Sequence, residues 1–273
     1  MSSSPNGSAS ATHDRATGSE RTTARIAGIF LVITFISIPA LALYDQVLNH
    51  THFIAGGGGD LRVELGALFE VITLIAGIGT AVALYPVLRR QSERLALGYV
   101  TVRVVESALI AVGIVSLLAV VTLRQDLAGA AGTDNASLIL NGRSLVAVHD
   151  ATFLLGPAFC AAIGNGLMLG YMMFRSGLVP RRFALFGMSA GSLALVTAIL
   201  VLFGAYDQTS GPSFILTLPE AVWELSLGIY LIAKGFRPDA SLFERDRRDP
   251  GADELAFRLG ESAAPAKAEP ARA

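Results

Sequence analysis

Seven ionisable residues lie inside or at the mouth of stretches that are otherwise apolar: Glu70, Arg103, Glu106, His149, Asp150, Glu220 and Glu224. A charged group at the centre of a bilayer costs roughly 2.5–3.5 kcal/mol on translocon scales, so each needs a partner, a proton or a wet cavity. Arg103 and Glu106 are three residues apart and Glu220 and Glu224 four apart, so each pair shares one helix face. The first pair is complementary. The second repels unless a proton, a cation or Arg103 intervenes. Carboxylates outnumber bases, and that excess points to shared protons or a bound cation. At 1.5 Å per residue, Glu70, Glu106, Glu220 and Glu224 reach depths of roughly 9–16 Å from their nearer helix ends. The sequence therefore predicts one polar cluster, leaning towards the outer leaflet. A plainer reading is that these groups form interhelical ion pairs that fix helix register without binding anything. His149 with Asp150 offers a proton relay or a ligand pair, or simply an interfacial residue beside an acid favoured by a helix start.

The elements that must position these groups are apolar runs at about residues 24–44, 63–88, 95–123, 145–174, 183–206 and 214–233. Each approaches or exceeds the ~20 residues that cross a hydrocarbon core, and none has the ten-residue alternation of a barrel strand. The fold class is all-α: a polytopic transmembrane helical bundle of about six spans. Lys and Arg collect at one set of ends (Arg15, Arg21, Arg25, Arg89, Arg90, Arg94, Arg175, Arg181, Arg182, Lys234 and Arg237), against Arg62, Arg124 and Arg143 at the other. The positive-inside bias places both termini in the cytoplasm and the loops around 45–62 and 124–144 outside. All six tyrosines, Tyr44, Tyr85, Tyr99, Tyr171, Tyr206 and Tyr230, fall near span ends, where the headgroup level suits an amphipathic ring. Residues 1–23 and 237–273 are polar or Ala/Pro-rich and read as disordered cytoplasmic tails. Gly156-Pro157 is expected to kink the fourth span, and Trp223 to pack within the sixth.

Composition agrees with a membrane protein. Of 273 residues, 52% are hydrophobic and 16% charged, more apolar surface than a water-soluble core of this length needs. A net charge of −1 without a basic patch argues against nucleic acid as a partner. The single Cys160 cannot build a disulfide or a multi-cysteine metal centre within the chain. His50 and His52 beside a glycine run lack a rigid frame for a metal, and signatures of phosphate-binding loops, zinc proteases and serine hydrolases are absent. No cofactor is expected. The partners expected are the lipid bilayer, a cation or proton, and a second copy in a homo-oligomer; Gly166-x3-Gly170 and Gly187-x3-Gly191 permit close helix approach and do not by themselves show dimerisation.

Four segments carry a likeness to a known family. They are Ala24-Arg25-Ile26-Ala27-Gly28; Arg103-Val104-Val105-Glu106-Ser107; Arg175-Ser176-Gly177-Leu178-Val179-Pro180-Arg181; and Pro219-Glu220-x3-Glu224-Leu225 ending in Lys234-Gly235-Phe236. Over residues 24–236 the chain resembles the bacterial integral membrane family catalogued as domain of unknown function 4386. The resemblance implies a helical membrane protein of unassigned activity and supplies no substrate and no catalytic residues; the membrane expected is the bacterial plasma membrane. Residue chemistry leaves three expectations: a small transporter or ligand-binding protein using the carboxylates, a non-catalytic membrane interaction protein with structural ion pairs, or an intramembrane metal-dependent hydrolase around His149 and Asp150.

Overall fold

The computed structural model describes residues 6–50, 52–56, 59–127, 135–240 and 242, with side chains from residue 18 onward. Its helices are α1 (Asn6–Ile33), α2 (Ser37–Asn49), α3 (Asp60–Leu88), α4 (Glu93–Leu127), α5 (Asn135–Phe153), α6 (Gly170–Ser176), α7 (Arg181–Leu202) and α8 (Gly211–Ala233). There are no strands among the described residues. Six runs are long and apolar enough to cross a membrane: Gly18–Asn49, Asp60–Leu88, Glu93–Leu127, Asn135–Ser176, Arg181–Leu202 and Gly211–Ala233. Only 22–44% of the residues in their most apolar windows are buried inside the bundle, and Ile75, Val82, Val115, Val196 and Ile229 are exposed on its outer surface. That exposed apolar shell is what lipid covers.

The spans are longer than the apolar runs alone suggest. The first helix includes residues 18–23, which composition assigned to a disordered tail: Thr22 Oγ1 donates to the Gly18 carbonyl, and Glu20 pairs with Arg90 at 2.9 Å. Helix α2 continues through Asp45 to Asn49, and α4 carries Arg124 to its last turn, so both lie in helix rather than loop. The described helix propagates into polar sequence because hydrogen bonding and ion pairing continue beyond the last apolar residue. Residues 1–5, 243–273 and the middle of the 124–144 loop lie outside the described residues.

Two spans are broken where proline removes a donor. Pro39 cannot donate to the carbonyl of Phe35, and a 3₁₀ turn at Thr34–Ile36 joins α1 to α2. In the fourth span the turns widen to i→i+5 spacing over Leu154–Cys160, which contains Pro157, and over Ala162–Leu169. The kink expected at Gly156-Pro157 is thus a stretch of π-helix, which re-aims the side chains that follow. Ser210 caps α8 by accepting from the Ser213 amide, with proline in the first turn, and Gly177 closes α6 in the left-handed region at φ 71°.

The spans form a closed ring in chain order: α1 packs on α3, α3 on α4, α4 on α5, the π segment on α7, α7 on α8, and α8 back on α1. Small residues close the ring. A Cβ on Gly28 would lie 2.6 Å from the Gly228 carbonyl oxygen, and one on Gly166 would fall onto the Cα of Gly191. Glu20 meets Arg90, the Arg237 amide donates to the Leu178 carbonyl, and Gly235 lies against Arg21 and Ala24. The N-terminal helix, both hairpin turns and the start of the C-terminal segment therefore share one end, here the terminal end. At its surface Asp239 accepts from Arg237, which draws its carboxyl below the ordinary range.

Two apolar cores fill the ring. One, at the terminal end, gathers Leu31, Leu84, Tyr99, Met172, Trp223 and Leu231; the other, at the distal end, gathers Tyr44, Val47, Ile54, Val63, Leu117 and Val121. The buried ionisable groups lie between them.

Candidate functional site

Residues expected to form one polar cavity form two layers instead. The deeper layer, next to the terminal-end core, is built on α4, α8 and the π segment. Arg103 Nη1 donates to Glu106 Oε2 at 2.5 Å, one turn along the same face, and both side chains are buried. Tyr99, one turn before Arg103, donates to Asn165 Oδ1 at 3.1 Å, and Asn165 Nδ2 donates to Glu224 Oε1 at 2.7 Å. A hydrogen-bonded bridge therefore runs from α4 through the π segment to α8. Glu224 also lies within electrostatic range of Arg103, and Glu220, one turn before it on α8, within range of Glu224.

Glu220 is the anomaly. It is 6% exposed, and neither carboxyl oxygen meets a hydrogen-bond donor among the described residues. The backbone in front of it is Gly166, where a Cβ would come within 2.9 Å of Oε1 and 3.1 Å of Oε2. Glycine there leaves room for the carboxyl and nothing to satisfy it. Trp223, between the two glutamates in sequence, does not line this site: its Nε1 donates to the Phe183 carbonyl at 3.2 Å and its ring covers Gly187.

The second layer lies under the distal core. Tyr44 Oη donates to Glu70 Oε2 at 2.9 Å, and the His149 ring stands edge-on to Tyr44 with centroids 5.8 Å apart. His149 and Glu70 both line a small cleft with Ile110, Gly113 and Pro157. His149 Nδ1 lies 3.3 Å from Asp150 Oδ1, and Asp150 is 61% exposed. Asp150, exposed on the surface of the bundle, is thus the outermost member of a set that continues through His149 to Glu70 and Tyr44. Two register marks separate the layers. Gly113, which faces His149 and Thr152, is seven residues from Glu106, and Gly77, which faces Arg103, is seven from Glu70. Seven residues of helix are about 10 Å.

The structure thus brings Arg103, Glu106, Glu220 and Glu224 together, places Glu70 and His149 in the other layer, and leaves Asp150 at a rim. Sequence reasoning missed Tyr44, Tyr99 and Asn165. Both tyrosines, expected at headgroup level, are fully buried and hydrogen-bonded to members of the layers. A signal was available for Tyr99, which shares a helix face with Arg103 and Glu106 at i, i+4 and i+7. For Asn165 none was, because the π-helical register that aims it inward is not read from spacing. Arg124, counted among loop charges, is buried and paired with Asp60.

A closed ring of six apolar helices with polar layers between two apolar cores defines a multi-pass α-helical membrane protein. More particularly, the chain belongs to the family described as domain of unknown function (DUF4386), whose model matches residues 26–235. No curated protein and no solved structure matches the chain.

Proposed function

We propose that this protein binds and carries protons or a small cation across the plasma membrane, with Glu220 and Glu224 as the binding carboxylates. Asn165 and Arg103, the latter held by Glu106, keep Glu224 in place. The observation that supports this reading most is the charge count of the deeper layer: it holds three carboxylates and one guanidinium, and Glu220 has no donor among the described residues. Two uncompensated negative charges in a low-dielectric site are costly, and a proton or cation between Glu220 and Glu224 removes that cost. Intramembrane carboxylates with this imbalance commonly mark ion pathways. The Arg and Lys bias at the terminal end orients that end to the cytoplasm, so the Asp150–His149–Glu70 chain serves the external side.

The test is ion flux in proteoliposomes of purified protein, with a pH-sensitive dye and an imposed proton, sodium or potassium gradient. Wild type conducts or exchanges at least one of these; Glu220→Gln and Glu224→Gln abolish the flux while the protein stays folded. Flux absent in wild type for all three ions, or unchanged in both variants, refutes the reading. In that case the 2.5 Å Arg103–Glu106 pair favours a non-catalytic interaction protein whose ion pairs fix helix register. The metal-dependent reading gains no support, since no group of three or more His, Cys, Asp or Glu among the described residues is arranged to hold a metal ion.

A further inference from the structure

The two glutamates of α8 have opposite surroundings. Glu224 is served by donors. Asn165 Nδ2 donates to its Oε1 at 2.7 Å, and Asn165 Oδ1 accepts from the Tyr99 hydroxyl at 3.1 Å. The orientation of the amide follows from its partners: an ionised carboxylate only accepts, so the nitrogen faces Glu224 and the oxygen is left to Tyr99. Arg103, which donates to Glu106 at 2.5 Å, adds a positive charge within electrostatic range of Glu224. N–H groups and a guanidinium stabilise an anion there and repel a second cation.

Glu220, one turn earlier, is buried with no donor among the described residues. A Cβ built on Gly166 would stand 2.9 and 3.1 Å from its two oxygens, so the glycine backbone abuts the carboxyl close to the plane that divides them. A metal ion chelated by both oxygens would sit in that same plane. The same point falls on the Gly191 Cα, so backbone from the π segment and from α7 closes the space in front of the carboxyl. A hard cation is held by about six oxygens. Here Glu224 Oε1 and Glu106 Oε2 already accept from Asn165 and Arg103, and Asn165 Oδ1 from Tyr99. A proton needs one lone pair and no added volume.

Among the described side chains, the elements packed on α8 bring no other ionisable group to Glu220. Glu20, Arg21 and Arg25 on α1, and Arg181 and Arg182 opening α7, belong to the terminal end. Glu220 is thirteen residues from Ala233, where α8 reaches that end, about 20 Å away. The π segment contributes Cys160, whose charged neighbours are Arg103 and Glu106. On α4, Tyr99, Arg103 and Glu106 act on Glu224, and Glu224 is the charge that Glu220 meets.

We infer that the ligand of the deeper layer is the proton and not a metal cation: Glu220 holds it as a neutral carboxylic acid beside an ionised Glu224, while Asn165, Arg103 and the Gly166 backbone keep a cation out. The inference rests on the reading of Glu220 and Glu224 as binding carboxylates and names what they bind.

The experiment is infrared spectroscopy of the full chain in phosphatidylcholine bilayers at neutral pH, read where protonated carboxyl groups absorb, with and without saturating sodium or potassium chloride. Wild type is expected to show a protonated-carboxyl band that Glu220→Gln removes, Glu224→Gln retains and neither salt displaces. Glu220→Asp, which keeps an acid at the site, should shift the band without abolishing it, and it serves where the amide variant does not fold. In parallel, Tm is titrated with the same two salts, because a cation bound to the folded state raises stability by mass action. Wild type and Glu220→Gln should respond alike. A band untouched by both Glu220 variants, a band displaced by sodium or potassium, or a saturable rise in Tm that Glu220→Gln removes would each overturn the inference. Flux separates it from ion carriage. A protonated Glu220 in a protein that moves no ion retires carriage and keeps the proton site, whereas sodium or potassium flux abolished by Glu220→Gln keeps carriage and overturns the proton.

Discussion

The two polar layers are built from the same residue types and differ in how their charges are matched. Near the distal core, one buried carboxylate, Glu70, has a hydroxyl donor in Tyr44 and a histidine opposite, and the set ends at the exposed Asp150. Near the terminal-end core, Glu106 and Glu224 share one Arg103, and Glu220, beside Glu224, has no donor among the described residues. A matched layer stabilises the native packing of helices, because each buried polar atom has replaced its water by a partner. An unmatched layer persists only if something outside the chain completes it or if surrounding packing tolerates the cost. Helix contacts at glycine supply such packing: α7 meets the π segment backbone to backbone at Gly166 and Gly191, directly in front of Glu220.

The comparison can be broken most forcefully at Arg103. Arg103→Gln leaves Glu106 and Glu224 without their shared cation, and breaking a buried pair costs about 3–5 kcal/mol. Unfolding followed by circular dichroism in mixed micelles should register that loss, and the double variant Arg103→Gln/Glu106→Gln should recover a large part of it. If the double variant is as unstable as the sum of the two singles, the pair is not coupled. A smaller effect is expected where packing rather than charge supports the deeper layer. Gly191→Ala pushes a methyl into the Gly166 backbone and the Ala162 carbonyl, and overpacking of this kind costs about 1–3 kcal/mol. The same unfolding assay reads it, and Gly211→Ala, with open space around its Cβ, is the control that should leave stability unchanged. The smallest effect belongs to the matched layer. Tyr44→Phe removes one donor from Glu70, worth about 0.6–1.7 kcal/mol for a hydrogen bond between membrane helices. A loss as large as that of Arg103→Gln would show that the distal layer, not the deeper one, dominates the energetics.

Much of this architecture is legible in the chain itself. Hydropathy over windows of twenty residues locates all six spans, since lipid imposes a length and an apolar requirement that any single helix meets alone. The i, i+3 spacing of Arg103 and Glu106 is likewise local, and the pair forms as spacing predicts. Depth along a helix, however, carries no information on which helices face each other. Glu70 and Glu106 lie at comparable depths by sequence count, yet Glu70 turns to Tyr44 and Glu106 to Arg103, in different layers.

Tyr44 and Tyr99 illustrate the limit from the other side. Near a span end, tyrosine is equally suited to the headgroup region and to a buried carboxylate or amide, and only the neighbours on α3 and the π segment decide for the second. Sequence by itself determined the class of protein, the number of crossings and the charges that must be buried, because these follow from the transfer of single segments into lipid. Tertiary structure alone decided that Asn165 reaches Glu224 and Tyr99, that Asp150 stays exposed, and that Glu220 faces glycine with no donor among the described residues. Those outcomes depend on the widened turns after Pro157 and on helix contacts between residues far apart in the chain, which no local pattern encodes.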